Sequence, residues 1–145
     1  NGNVNKIKNY RSLEFAKNKN EFLQLWRNIM AGNMIPISAK VKALALMVKS
    51  DRNSFEDFFR MMMYWFRDAQ SLDAGATLEK LILFQFQDEI QKFATYYHGS
   101  DYYNLILKAE QVIELSAKNL YIPALVSHFF VTIQKELQQA RMRSR

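Results

Sequence analysis

Hydrophobic positions are densest between Ser54 and Leu72, SFEDFFRMMMYWFRDAQSL, a stretch with no Gly or Pro. Phe55, Phe58, Phe59, Met62, Phe66 and Ala69 fall on one helical stripe. Met61, Tyr64 and Trp65 widen that stripe until the middle turns are apolar nearly all round, the pattern of a buried helix. Ser54 is expected to cap this helix, with Asp57 as the acidic member of a capping box. The fold class that follows is all-α: a bundle of about six helices packed around a central helix at 54–72, with Phe58, Phe59, Met62, Trp65 and Phe66 in the core. Arg67 and Asp68 are read as structural polar residues. At least one should reach a polar group on another helix, because an unpaired buried charge is costly.

The rest of the chain supplies the surrounding helices. Val4 to Phe15 can form a short one, and Asn18-Lys19-Asn20 reads as a break. Glu21 to Met30 carries Phe22, Leu25, Trp26 and Ile29 on one face, and Gly32-Asn33 is a natural stop. With Pro36 in the connection, Ser38 is expected to cap a helix that turns Val41, Leu44, Ala45 and Val48 inward and leaves Lys40, Lys42 and Lys49 wet. Asp51-Arg52-Asn53 leads to the central helix, and Asp73 to Thr77 is a loop. Leu78 to Phe86 fits neither the helical nor the strand period; with no second strand to pair with, it is read as helical or irregular. Asp88 should cap a helix that buries Ile90, Phe93, Ala94 and Tyr97 and ends at His98-Gly99. A longer helix runs from Ser100 or Asp101 to about Ser116, carrying Tyr103, Ile106, Leu107, Glu110, Ile113 and Leu115. Pro123 suits the first turn of a last helix reaching about Arg141. There is no internal repeat.

That last helix has two apolar sets. Leu125, Phe129, Thr132, Ile133 and Leu137 make an inward stripe, while Val126, Phe130 and Ala140 lie about a third of a turn away. One stripe suffices for a surface helix, so Tyr121, Val126 and Phe130 are the candidate subunit interface. A surplus of aromatics, Tyr102, Tyr103, Tyr121, Phe129 and Phe130, points the same way, since extra apolar surface marks partner sites.

Composition narrows the picture further. A chain of 145 residues with 49% hydrophobic residues supports one domain with a sizeable core. The absence of Cys excludes disulfides and thiolate metal sites and is compatible with a reducing compartment, so a cytoplasmic location is expected. No apolar run approaches membrane-spanning length and no signal-peptide pattern opens the chain. The formal charge is +6, but residues 1–20 carry +4 and residues 135–145 carry +3, leaving −1 for the 114 residues between. Basic ends on a neutral body are unlike a DNA-reading face, which concentrates Lys and Arg on folded surface. Nucleic-acid binding through those ends is the alternative function. Residues 1–20 are read as a basic N-terminal segment and 21–145 as the helical domain.

Catalytic motifs are missing. Gly2, Gly32, Gly75 and Gly99 are too far apart for a phosphate-binding loop, and none of the eight Glu is followed by His three residues on, as a di-iron bundle requires. There is no His-Glu-x-x-His or G-x-S-x-G. His98 is expected to serve a helix end and His128 to be a half-buried packing residue. Met61-Met62-Met63 reads as core. No catalytic, cofactor-binding or metal residue is assigned, and no small-molecule substrate.

Two stretches carry a resemblance. Met63-Tyr64-Trp65-Phe66-Arg67-Asp68-Ala69 resembles the apolar-Trp-apolar-Arg-Asp helix in the C-terminal domain of bacterial DNA polymerase III clamp-loader subunits, the delta-prime kind above all. Ala109-Glu110-Gln111-Val112-Ile113-Glu114, then Lys118-Asn119-Leu120-Tyr121-Ile122-Pro123-Ala124-Leu125, is similar to that family's helix, Asn-bearing connector and last helix, although the family usually has Asn, small residues and Pro where this chain has Leu120-Tyr121-Ile122. Asn1-Gly2-Asn3, with no Met ahead of it, is similar to a Gly-Asn turn in the preceding lid domain and reads as the start of a fragment. The short tail after the last helix favours delta-prime over gamma/tau. The resemblance implies a non-catalytic collar domain that joins other clamp-loader subunits through its helices and meets DNA only through the assembled loader. The ATPase and lid domains would precede it.

Overall fold

In the computed structural model, residues 19–118 and 121–143 are described. The expected helix from Val4 to Phe15 lies outside them. The described residues form six α-helices and no strand, so the all-α expectation holds. The chain divides into two units, residues 1–37 and 38–145.

In the first unit, α1 covers 19–31. Lys19 and Asn20, read as a break, are already helical. Phe22, Leu25, Trp26 and Ile29 are buried as their spacing requires, with the Phe22 ring edge-on to Trp26 at 6.3 Å. The helix stops where Gly32 takes φ 70°, a conformation cheap only for glycine. The Gly32 N–H donates to the Ile29 carbonyl and that of Asn33 to the Asn28 carbonyl, at 3.2 and 3.0 Å, a Schellman closure. Helix α2 (Met34–Ser50) follows at once. Pro36 is in its first turn, where a missing N–H costs no helical bond. Ser38 is therefore inside the helix and not its cap.

In the second unit, α2 buries Val41 and Leu44 and half-buries Ala45 and Val48. Lys40 places its ammonium 5.0 Å from the centre of the Phe58 ring. Only Asp51 separates α2 from α3 (Arg52–Asp73), and Asp51, not Ser54, is the N-cap. Its carboxylate accepts from the Ser54 N–H at 3.2 Å and the Ser54 hydroxyl at 2.6 Å. A negative charge at the positive helix end outcompetes a hydroxyl three residues later. Asp57 accordingly makes no capping box and meets Arg60 at 3.3 Å.

Helix α3 is the centre, as the pattern predicts. Phe55, Phe59, Met61, Met62, Trp65, Phe66 and Ala69 are buried, and Phe58 is half-buried. Each fully buried side chain of this size contributes roughly 1.5–3 kcal/mol of transfer free energy. Helix α5 (Tyr102–Leu115) runs antiparallel along α3: Phe66 stacks on Tyr102 at 6.3 Å, and Arg52, at the other end of α3, donates to the Ile113 carbonyl at 3.0 Å. Helix α4 (Gln87–Tyr96) meets α3 through Phe93, 5.6 Å from Trp65. Helix α6 (Ile122–Arg143) meets its first half through Phe129 on Phe59 at 5.3 Å and Phe130 on Phe58 at 6.4 Å.

The connector between α3 and α4 explains its own sequence. Gly75, at φ 94°, closes α3 with a second Schellman pairing, its N–H to Leu72 and that of Ala76 to Ser71. Two single 3-10 turns follow, Leu78–Lys80 and Phe84–Phe86. From Leu81 to Phe86, Leu81, Leu83 and Phe86 are buried while Ile82 and Phe84 are exposed. That mixture fits neither regular period. Phe86 occupies the cap position of α4 and Asp88 lies in the first turn, so the expected Asp88 cap is replaced by a dipole contact. Asp101 caps α5 by accepting from the Asn104 N–H at 3.1 Å. The stripe of α5 includes Tyr102, Leu105, Ile106, Ala109 and Val112, and Tyr103 faces outward.

Candidate interaction surface

The expected interface on the last helix is corrected by packing. Val126 is 0% exposed and Phe130 2%, and Ala140 is buried too. Both apolar sets of α6 are taken up by the chain itself, because α3 offers a second row of rings: Phe58 edge-on to Phe130, and Phe59 edge-on to Phe129. Of the three candidates only Tyr121, 76% exposed, remains on the surface.

The polar pair of α3 divides. Arg67 is exposed. Asp68 is buried, and its two carboxylate oxygens accept from the Ile82 and Leu83 N–H groups at 2.9 and 2.8 Å. The expected contact therefore exists, but it goes to connector backbone and not to another helix. Burial pushes the Asp68 carboxyl above its ordinary value, against the two amide bonds, which pull it down. Asp68 fixes the backbone that projects Ile82 and Phe84 outward.

A second polar cluster ties three helices at the α4–α5 turn. Asp73, the last residue of α3, accepts from the Gly99 N–H at 2.9 Å and contacts His98 Nδ1 at 3.1 Å. Glu136 of α6 accepts from the Asp101 N–H at 2.7 Å and from Arg143 at 3.2 Å. The Tyr102 hydroxyl donates to the Tyr97 carbonyl at 3.0 Å, and burial raises its pKa, followed by the Asp73 charge. Arg141 lays its guanidinium over the Tyr96 ring at 3.8 Å. His98 meets the carboxylate of Asp73 at the end of α3, where the sequence pointed to the end of its own helix. His128 is exposed, contrary to the half-buried expectation.

A shallow depression of about 560 Å³ lies beside this cluster, bordered by Leu72, Thr77, Leu78, Glu79, Gln91 and Thr95 among others. Its Asp73 and His98 already satisfy each other and the turn, and Thr95 donates to the Gln91 carbonyl. No nucleophile is held against a base there. Among the described residues no group of three or more His, Asp or Glu could hold a metal, and no helix is long and apolar enough to cross a membrane.

Several large apolar side chains also remain outside. On α2, Leu46 is 73% exposed, together with Ala39, Ala43 and, a turn earlier, Ile35. On α5, Tyr103 is 64% exposed and Leu107 is also exposed. The second stripe of α2 was visible in the sequence, because Ile35, Ala39, Ala43 and Leu46 recur at helical spacing opposite Val41 and Leu44. No family model, curated protein or solved structure matches this chain.

Proposed function

We propose that this chain is a non-catalytic assembly module, the collar domain of a bacterial DNA polymerase III clamp-loader subunit of the delta-prime kind. In that role it helps assemble the loader that places the sliding clamp on DNA during replication, in the cytoplasm. The observation that carries the reading is the set of large apolar side chains left outside an already complete core: Leu46, Tyr103 and Tyr121. Such surface on a folded domain suits partner helices. The resemblance of the α3 sequence and of the segment from Ala109 to Leu125 supplies the family. Buried Trp65 and backbone-binding Asp68 give those resembling residues structural work, as a packing module requires. Partner contact is reassigned from Val126 and Phe130 to Tyr121 and the outer helix faces, and DNA is met through the assembled loader.

The test is co-elution of this chain with the remaining clamp-loader subunits of its source. A stable complex that Tyr121→Asp weakens supports the reading. Elution of the folded chain apart from those subunits overturns it.

A further inference from the structure

We propose that copies of this chain associate head to tail, the outer face of α2 in one copy packing on the outer face of α5 in the next. On α2, Ala39, Ala43 and Leu46 form an exposed apolar row, with exposed Lys42 and Lys49 along one edge and no acidic residue anywhere in the helix. On α5, Tyr103, Leu107, Glu110 and Glu114 recur at 4-3-4 spacing and are all exposed. On α5 the two glutamates follow the two apolar residues, whereas on α2 Lys42 lies beside Ala43 and Lys49 lies beyond Leu46, so the lysines flank the leucine. A parallel pairing with Tyr103 level with Ala39 sets Leu107 against Ala43, Glu110 beside Leu46 between the two lysines, and Glu114 within a residue of Lys49. The alanines leave room for the tyrosine ring.

Charge decides the occupant. None of Lys42, Lys49, Glu110 and Glu114 pairs with another described residue, whereas Arg52, Glu56 and Arg60 form a closed ladder and Glu136 holds Arg143. Packing α2 on α2 supplies only lysines from these faces, and α5 on α5 only glutamates, so neither gives the charges a counter-ion. Only α2 against α5 is complementary in both apolar and charged rows. The two patches differ, so the contact is heterologous. This inference does not rest on the clamp-loader reading, because it needs no other protein.

The experiment is sedimentation equilibrium of the chain alone over micromolar to millimolar concentration, at low and high salt. The weight-average mass should climb above the 17.1 kDa of one chain as concentration rises, and fall back with salt. Lys42→Glu with Lys49→Glu should stay monomeric, as should Glu110→Lys with Glu114→Lys. An equimolar mixture of the two should associate again, because each supplies the complement of the other. Circular dichroism confirms that both keep their helix. A wild-type chain that stays at the mass of one chain overturns the proposal, as does association that survives either reversal or fails to return on mixing.

Discussion

Helices α2 and α3 are neighbours in sequence, separated by one residue, and both are rich in apolar side chains, yet they end differently. In α3 the large side chains are covered: α4, α5 and α6 each place rings against Phe58, Phe59, Trp65 or Phe66. Its charges on the wet side neutralise one another, Glu56 meeting Arg52 at 2.9 Å and Arg60 at 2.8 Å. Beside those cations the Glu56 carboxyl is held below its ordinary value, the Arg52 hydrogen bond being the largest cause. In α2, Val41 and Leu44 are covered while Leu46 stays in solvent, and the lysines have no acid in the helix to meet. What separates the two helices is the supply of neighbours, which no helix encodes in its own periodicity. An apolar residue on α3 is a matter of stability. The same residue type on the outer face of α2 is a matter of association.

The largest expected effect tests the covered side. Phe130→Asp puts a carboxylate with no partner among Phe58, Phe129 and Val126, and should destabilise the fold by more than about 4 kcal/mol. Chemical denaturation of the isolated chain reads this directly. A variant with an unchanged midpoint would mean that Phe130 is on the surface after all. Trp65→Ala follows at about 3–5 kcal/mol, since it empties the space between Phe86, 5.9 Å away, and Phe93. A loss below about 1 kcal/mol would deny α3 its central place.

The uneven legibility of this molecule has the same origin. The face of α1, the stop at Gly32 and the loop at 73–77 can be read because they depend on residues within one or two turns. The sequence places the start of α3 three residues late because Asp51 and Ser54 are both good caps, and only the backbone decides which stays outside the helix. Val126 and Phe130 look like surface residues in the sequence because a helix pattern shows how many apolar rows exist, not how many neighbours arrive to cover them. Tyr102 takes the inward place that the pattern gives to Tyr103 for a similar reason, since both fit a stripe displaced by one residue. The partners of Asp68 were out of reach, being backbone amides of an irregular segment fourteen and fifteen residues on.

Asp68 offers the next, smaller effect. Asp68→Asn keeps one acceptor oxygen and leaves one of the Ile82 and Leu83 N–H groups without its partner, a cost of about 1–3 kcal/mol. The pH dependence has a definite sign. Because burial raises the folded-state pKa of Asp68 above its ordinary 3.8, the native state holds this proton more tightly than the unfolded chain. Its contribution to stability is then fully present below pH 3.8 and is lost as pH rises through the raised value. The asparagine variant has no such loss, so its deficit against wild type should be largest at the acid end and shrink across that window. Asp51 behaves oppositely: the Ser54 hydroxyl and then the Ser54 N–H lower its pKa, so its contribution is present at neutral pH and fades as pH falls through the lowered value. Denaturation series of Asp68→Asn and wild type at several pH values separate the two. A deficit that grows as pH rises would reverse the assignment for Asp68.

The smallest expected change in stability is at Leu46, and it separates the two helices most cleanly. Leu46→Asp removes an apolar side chain that already contacts water, so the folded state loses little that the unfolded state did not lack. The substitution should shift unfolding by no more than about 0.5 kcal/mol, the ordinary range for surface positions. The same chemical change at Phe130 is expected to be ruinous, although both residues belong to apolar rows at helical spacing. If self-association proceeds through the outer face of α2, Leu46→Asp should also abolish the rise of mass with concentration while leaving the denaturation midpoint of the dilute chain in place. A large loss of stability in the dilute chain would mean that Leu46 is packed inside it, and the contrast between α2 and α3 would disappear.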